Sequence, residues 1–160
     1  MYPTKNSISE KIRSQIIGLL QVHLSNSIDL VTQSKQAHWN VKGPDFISLH
    51  ELFDKVAEDS EAYVDVIAER IVQLGGTAEG TLKIAASRSQ LPEYPLHISA
   101  GHLHVKALAS TLASYGEQIR NAIHAADEVT DKATADIFTE ISRGVDQYLW
   151  FVEAHLQGER

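Results

Sequence analysis

The chain has 160 residues, 43% of them hydrophobic and 22% charged, the size and make-up of one globular domain rather than of a disordered or collagen-like polymer. It contains no cysteine, which excludes disulfides, thiolate zinc sites, iron–sulfur clusters and cysteine nucleophiles, and leaves His, Asp and Glu to hold any metal. Fourteen Lys and Arg against 21 Asp and Glu give a net charge of −7, the wrong sign for gripping nucleic acid through its phosphates.

Met1 to Arg13 is polar and mixed in charge, without the apolar stretch of a signal peptide, and no apolar run approaches the roughly 20 residues of a membrane span. The expectation is a cytoplasmic protein that does not meet a membrane. Its four prolines, Pro3, Pro44, Pro92 and Pro95, leave proline-free windows at 4–43, 45–91 and 96–160, long enough for long helices. After a short tail over 1–6, Ser7 and Glu10 form a capping box, and Ile17, Leu20, Leu24, Ile28 and Val31 recur at steps of three and four. This predicts a first helix over roughly 7–39.

Val41-Lys42-Gly43-Pro44-Asp45 is a turn by composition. Phe46, Leu49, Phe53, Val56, Tyr63, Ile67 and Leu74 then predict a second helix, stopped by Gly75-Gly76. Residues 77–97 are too long for a tight turn and leave room for a short helix around Leu82–Ser87. Two further helices are expected at roughly 99–127 and 131–156, split near Val129-Thr130. The predicted fold is a single all-α domain over 1–160. A helix hairpin, one long crossover and a second hairpin is the connectivity of a ferritin-like four-helix bundle.

The second helix carries a polar stripe of His50, Asp54, Glu58, Glu61, Asp65 and Glu69, confined at 100° per residue to a sector of roughly 100°. A solvated acidic face is the plain alternative. The pairs His50/Asp54 and Asp65/Glu69 are each spaced i,i+4, so both members of a pair can reach one cation, and imidazole with carboxylate suits iron, manganese or zinc. His50 and Asp65 are separated by about 22 Å along the axis at 1.5 Å per residue, too far to share an ion within one helix. A second copy running antiparallel across a two-fold axis near Asp59–Ser60 brings His50 and Asp54 of one chain opposite Asp65 and Glu69 of the other. His38 continues the apolar stripe of the first helix and stands at the height of His50 across the turn, so the two can face one another. No Glu-x-x-His occurs, so the ordinary intrachain di-iron site of such bundles lacks its ligands.

These residues resemble the Dps family of mini-ferritins, named as DNA-binding proteins from starved cells. The resemblance is carried by Lys35-Gln36-Ala37-His38-Trp39-Asn40 with Gly43, by His50-Glu51-Leu52-Phe53-Asp54, by Asp65-Val66-Ile67-Ala68-Glu69-Arg70 and by Gln73-Leu74-Gly75-Gly76. Tyr94-Pro95-Leu96 and Leu149-Trp150-Phe151 extend it over nearly the whole chain. It implies a hollow dodecamer that oxidises ferrous iron, preferably with hydrogen peroxide, and stores the ferric mineral, protecting against oxidative damage. It implies a ferroxidase centre of His38 and His50 from one subunit and Asp65 and Glu69 from the other, with Asp54 helping to hold a second, weaker iron. Trp39, beside these ligands, would intercept a stray oxidising equivalent or pack the end of its helix. The family's acidic three-fold pores give Asp131, Asp136, Glu140 and Asp146 as candidates for iron entry.

The family's lysine-rich DNA-binding tail is missing: residues 1–6 hold only Lys5, and the carboxyl end is Gly158-Glu159-Arg160. With −7 per chain, weak or absent DNA binding is expected. A zinc-holding structural bundle and a nucleoid-compacting protein are the alternatives. His97, His102 and His104 are expected at the surface, and His102 and His104, two residues apart on a helix, cannot chelate together. His23, His124 and His155 are isolated.

Overall fold

A computed structural model describes residues 1–158, so the Glu159-Arg160 end lies outside the described residues. The described chain is five helices, α1 (Glu10–Asn40), α2 (Phe46–Gln73), α3 (Leu82–Arg88), α4 (Gly101–Glu128) and α5 (Lys132–Gln157). The α1/α2 and α4/α5 hairpins pack side by side, and the crossover carrying α3 returns along α1. This is the expected ferritin-like bundle, including the short helix in the crossover.

Boundaries fall where local chemistry puts them. α1 is capped by Ser9, not Ser7: Ser9 Oγ accepts from Ile12 N, while Asn6 Oδ1 accepts from Ile8 N and holds residues 6–8 in a turn ahead of the helix. Ile8 packs against the core from that turn, which the capping-box reading did not anticipate. α2 ends where Gly75 takes φ +88°, and a Cβ there would meet Tyr2 O at 2.7 Å. Tyr2 N donates to Gly75 O at 2.7 Å, so the amino-terminal residues are fastened to the end of α2.

The core is a continuous set of apolar side chains, among them Leu20, Leu24, Phe53, Ile67, Leu108, Leu112, Tyr115 and Phe138. Each fully buried aliphatic or aromatic side chain contributes about 1.5–3 kcal/mol. Residues 23–27 of α1 are all buried, because α3 and the crossover cover the face that the other long helices do not. Asn26 is satisfied there by Gln118 Oε1 at 2.8 Å and by the N–H of Gln90 at 2.9 Å. At the hairpin end, Lys42 N donates to Ser99 O and Gly101 N to Lys42 O, tying the α1–α2 turn to the start of α4.

Candidate metal centre

α1 and α2 bring His38 and His50 together as their spacing about the turn predicts. The rings stack with centroids 3.7 Å apart and planes 20° from parallel. Each Nδ1 donates to the other residue's backbone carbonyl, His38 to His50 O at 2.7 Å and His50 to His38 O at 2.8 Å. This exchange fixes the proton on Nδ1 in both rings and leaves both Nε2 lone pairs for an electrophile, the arrangement by which backbone carbonyls orient metal-binding imidazoles. Phe46 adds a ring 5.0 Å from His50.

Asp54 lies one turn beyond His50, with His38 Nδ1 3.9 Å from its Oδ1. Its immediate partner is Lys35, whose Nζ is ion-paired with the same oxygen, and that contact, with the two histidines nearby, holds the Asp54 carboxyl below its ordinary pKa. Lys35 heads the first motif of the resemblance but was given no role at the site from the sequence, although it stands one helical turn before His38 and so on the same face.

The other end of the stripe is bare. Asp65 and Glu69 are exposed and make no side-chain hydrogen bond or ion pair among the described residues. Behind them, Arg70 is buried: Nη2 binds both oxygens of Asp131, at 2.8 and 3.1 Å, and Nε donates to Thr134 Oγ1 at 3.0 Å. The clamp sets α2's rotation against α5, keeping Asp65 and Glu69 outward. Midway, Glu58, Glu61 and Ala62 face out, whereas Ser60 is buried and Asp59 is held by Lys55 and Tyr148.

Among the described residues no group of three or more His, Asp or Glu closes around one position within the chain. Exposed apolar side chains flank both ends of the stripe: Trp39, Phe46 and Ile47 beside the histidines, Val72 beside Glu69. Trp39 is 68% exposed, so it does not pack the end of α1 within the chain. Asp131 is 3% exposed, caps α5 and is neutralised by Arg70, which removes it from the pore candidates, while Asp136, Glu140 and Asp146 are exposed. His104 is 1% exposed, against the expectation of a surface residue. It belongs to the buried row His104, Leu108, Thr111, Tyr115 of α4, a spacing that was readable in the sequence.

The ferritin-like domain family matches residues 17–160. The DNA protection during starvation protein of Agrobacterium fabrum is 46% identical over 156 residues, covering 98% of this chain and 96% of that one. The chain belongs to the Dps family. Among solved Dps structures, DpsA14 from Streptomyces coelicolor superposes with a TM-score of 0.92 at 33% identity, over 99% of this chain and 93% of that one. The Dps of Microbacterium arborescens in its high iron form gives 0.86 at 33% identity, over 96% and 97%. Among the described residues of this Dps chain, no helix is long and apolar enough to cross a membrane.

Proposed function

We propose that this Dps chain oxidises ferrous iron, with hydrogen peroxide as preferred oxidant, at a site that two subunits complete, and stores the ferric product inside a dodecameric cytoplasmic shell. His38 and His50 of one subunit and Asp65 and Glu69 of its neighbour bind the first iron, and Asp54 helps to hold the second in competition with Lys35. Trp39, exposed beside the pair, is placed to intercept a stray oxidising equivalent that escapes it. Two ferrous ions together supply the two electrons that peroxide takes up as its O–O bond breaks, so no hydroxyl radical is released and both oxidative hazards are consumed at once.

The observation that carries this reading is the reciprocal histidine clamp, which prepares two imidazole nitrogens for a metal that no ligand cluster among the described residues of the same chain completes. The bare Asp65/Glu69 pair supplies the missing charge, and apolar side chains around both ends suit a surface that a second copy covers. A stripe of like charges on one helix is self-repelling until a cation neutralises it. Iron suits the mixed nitrogen and oxygen set, and no observation favours zinc over it. The −7 charge supports weak or absent DNA binding.

Complementation between subunits tests the assignment. Ferrous oxidation by peroxide should collapse in His38→Ala/His50→Ala and in Asp65→Ala/Glu69→Ala shells, each still assembled. Co-assembled from equal amounts of the two variants, half the two-fold pairs are mixed and each mixed pair regains one intact site, so about a quarter of the parent activity should return. Normal turnover in the histidine variant, or no recovery on mixing, overturns the shared site. Anomalous scattering from loaded crystals across the iron and zinc edges identifies the metal bound.

A further inference from the structure

Behind the acidic stripe, on the bundle side of α2, lie three tyrosines that the iron chemistry above does not use: Tyr63, Tyr115 and Tyr148. They differ in what receives the phenol proton. Tyr115 OH meets Ser27 Oγ at 2.6 Å, and since Ser27 donates to His23 O, the hydroxyl of Ser27 is the acceptor, which is a poor base. Tyr63 OH rests against Gly144, where a Cβ would come within 2.0 Å, and has no hydrogen-bond partner among the described residues. Tyr148 alone of the three donates to a carboxylate, Asp59 Oδ2, whose other oxygen is held by Lys55 at 2.8 Å. Asp59 sits on α2 between the two halves of the stripe, about 7.5 Å along the axis from Asp54 and about 9 Å from Asp65 at 1.5 Å per residue.

We propose that Tyr148, with Asp59 as its proton acceptor, supplies the second electron to peroxide when only one ferrous ion occupies the paired site. The proposal rests on the peroxide-driven iron oxidation argued above. In the step, Fe(II) gives one electron and becomes Fe(III), and the phenol gives the other and becomes a neutral tyrosyl radical as its proton passes to Asp59. The O–O bond breaks and peroxide leaves as two hydroxide ions, one of them neutralised to water when Asp59 passes its proton on. Losing an electron makes a phenol strongly acidic, so a buried tyrosine gives one up readily only where a base stands ready. Burial pushes the Tyr148 phenol up in pKa and the hydrogen bond to Asp59 adds to this, so it is protonated at neutral pH and the proton must move. A further phenol, Tyr94, is hydrogen-bonded with His104 Nδ1 at 2.8 Å, but protonating an imidazole that is 1% exposed creates a buried cation, whereas protonating Asp59 removes a charge. The ring of Tyr148 lies edge-on to Phe151 at 6.1 Å, a packing that phenylalanine preserves.

The test uses the assembled full-length protein, loaded without oxygen with less than one ferrous ion per subunit, mixed with hydrogen peroxide and frozen for electron paramagnetic resonance. A tyrosyl signal is expected, narrowed by ring-deuterated tyrosine and lost at full iron loading, where the second ion supplies the electron. Tyr148→Phe should lower it several-fold, and Asp59→Asn, which keeps a hydrogen-bond acceptor but not the base, should lower and slow it. Tyr63→Phe, Tyr115→Phe and Tyr94→Phe should leave it. An undiminished signal in Tyr148→Phe, a tryptophanyl rather than a tyrosyl signal in the parent, or no radical in the parent overturns the proposal. Iron oxidation at full loading is measured alongside: if it is normal while the radical is missing, this proposal alone fails, and if the parent does not oxidise iron, the functional reading fails with it.

Discussion

The two ends of α2 carry the same kind of spacing, an i,i+4 pair of side chains of metal-ligating type, and are built in opposite ways. At the amino end His50 and Asp54 are organised inside the chain, by a stacked histidine partner, two side chain to backbone hydrogen bonds and a lysine counter-charge. At the carboxyl end Asp65 and Glu69 are unheld, and the organisation lies behind them in the buried Arg70–Asp131–Thr134 knot. The difference teaches how a site proposed to be shared by two copies divides its labour between them. Imidazoles bind through one directed lone pair and gain from being aimed beforehand, whereas carboxylates accept from several directions and need only be delivered.

The largest effect should come from breaking the support behind the bare end. Arg70→Met leaves Asp131 buried without its partner, and removing one member of a buried pair costs about 3–5 kcal/mol, visible as a large fall in Tm. The residual oxidation should fall as well, because α2 loses what fixes its rotation. Equal stability in Arg70→Met would mean that the two ends are not supported as differently as the contacts indicate.

Acid tests whether the ends respond together. His23, 4% exposed in the middle of the bundle with its ring 5.0 Å from Phe138, is pushed by burial from 6.5 down to about 4. Between those values the unfolded chain binds a proton that the folded one refuses. Stability is therefore complete above pH 6.5 and declines toward pH 4, by roughly 3 kcal/mol per chain in all. His23→Leu should flatten that decline in denaturation curves at a series of pH values. An unchanged pH slope would show that His23 does not carry it.

A smaller effect is expected at the organised end. His38→Phe keeps an aromatic ring over His50 but removes one of the two reciprocal hydrogen bonds, worth about 1 kcal/mol. Smallest is Lys35→Met: a partly exposed ion pair contributes about 0–1 kcal/mol, so Tm should barely move. Calorimetric titration with ferrous iron should instead show tighter binding of the second ion, once Asp54 has no competing cation. Weaker binding would mean that Lys35 positions Asp54 for the metal.

The organised end was the more legible of the two in the sequence. Proline positions and the Gly43-Pro44 turn set the hairpin, and counting outward from that turn is enough to put His38 at the height of His50. The Arg70–Asp131 clamp was not legible, because 61 residues separate the partners and no local pattern links them, so Asp131 stood beside Asp136, Glu140 and Asp146 as a pore candidate. The start of α1 was ambiguous for a different reason: Ser7 and Ser9 are both good caps, and the burial of Ile8, a tertiary fact, decided between them. His104 was misread because it was weighed against His102 as a possible chelating partner, whereas its place four residues before Leu108 on a buried row carried the signal.

The hydrogen bond from Tyr2 to Gly75 has a practical consequence at the bench. A tag or label joined to the amino terminus would sit against the carboxyl end of α2, one turn past Glu69, and compete for the surface on which a second subunit is proposed to close. Its first symptom would be lost iron turnover in a chain whose own ligands are intact, so a loss seen only in tagged protein is a report on assembly and not on chemistry.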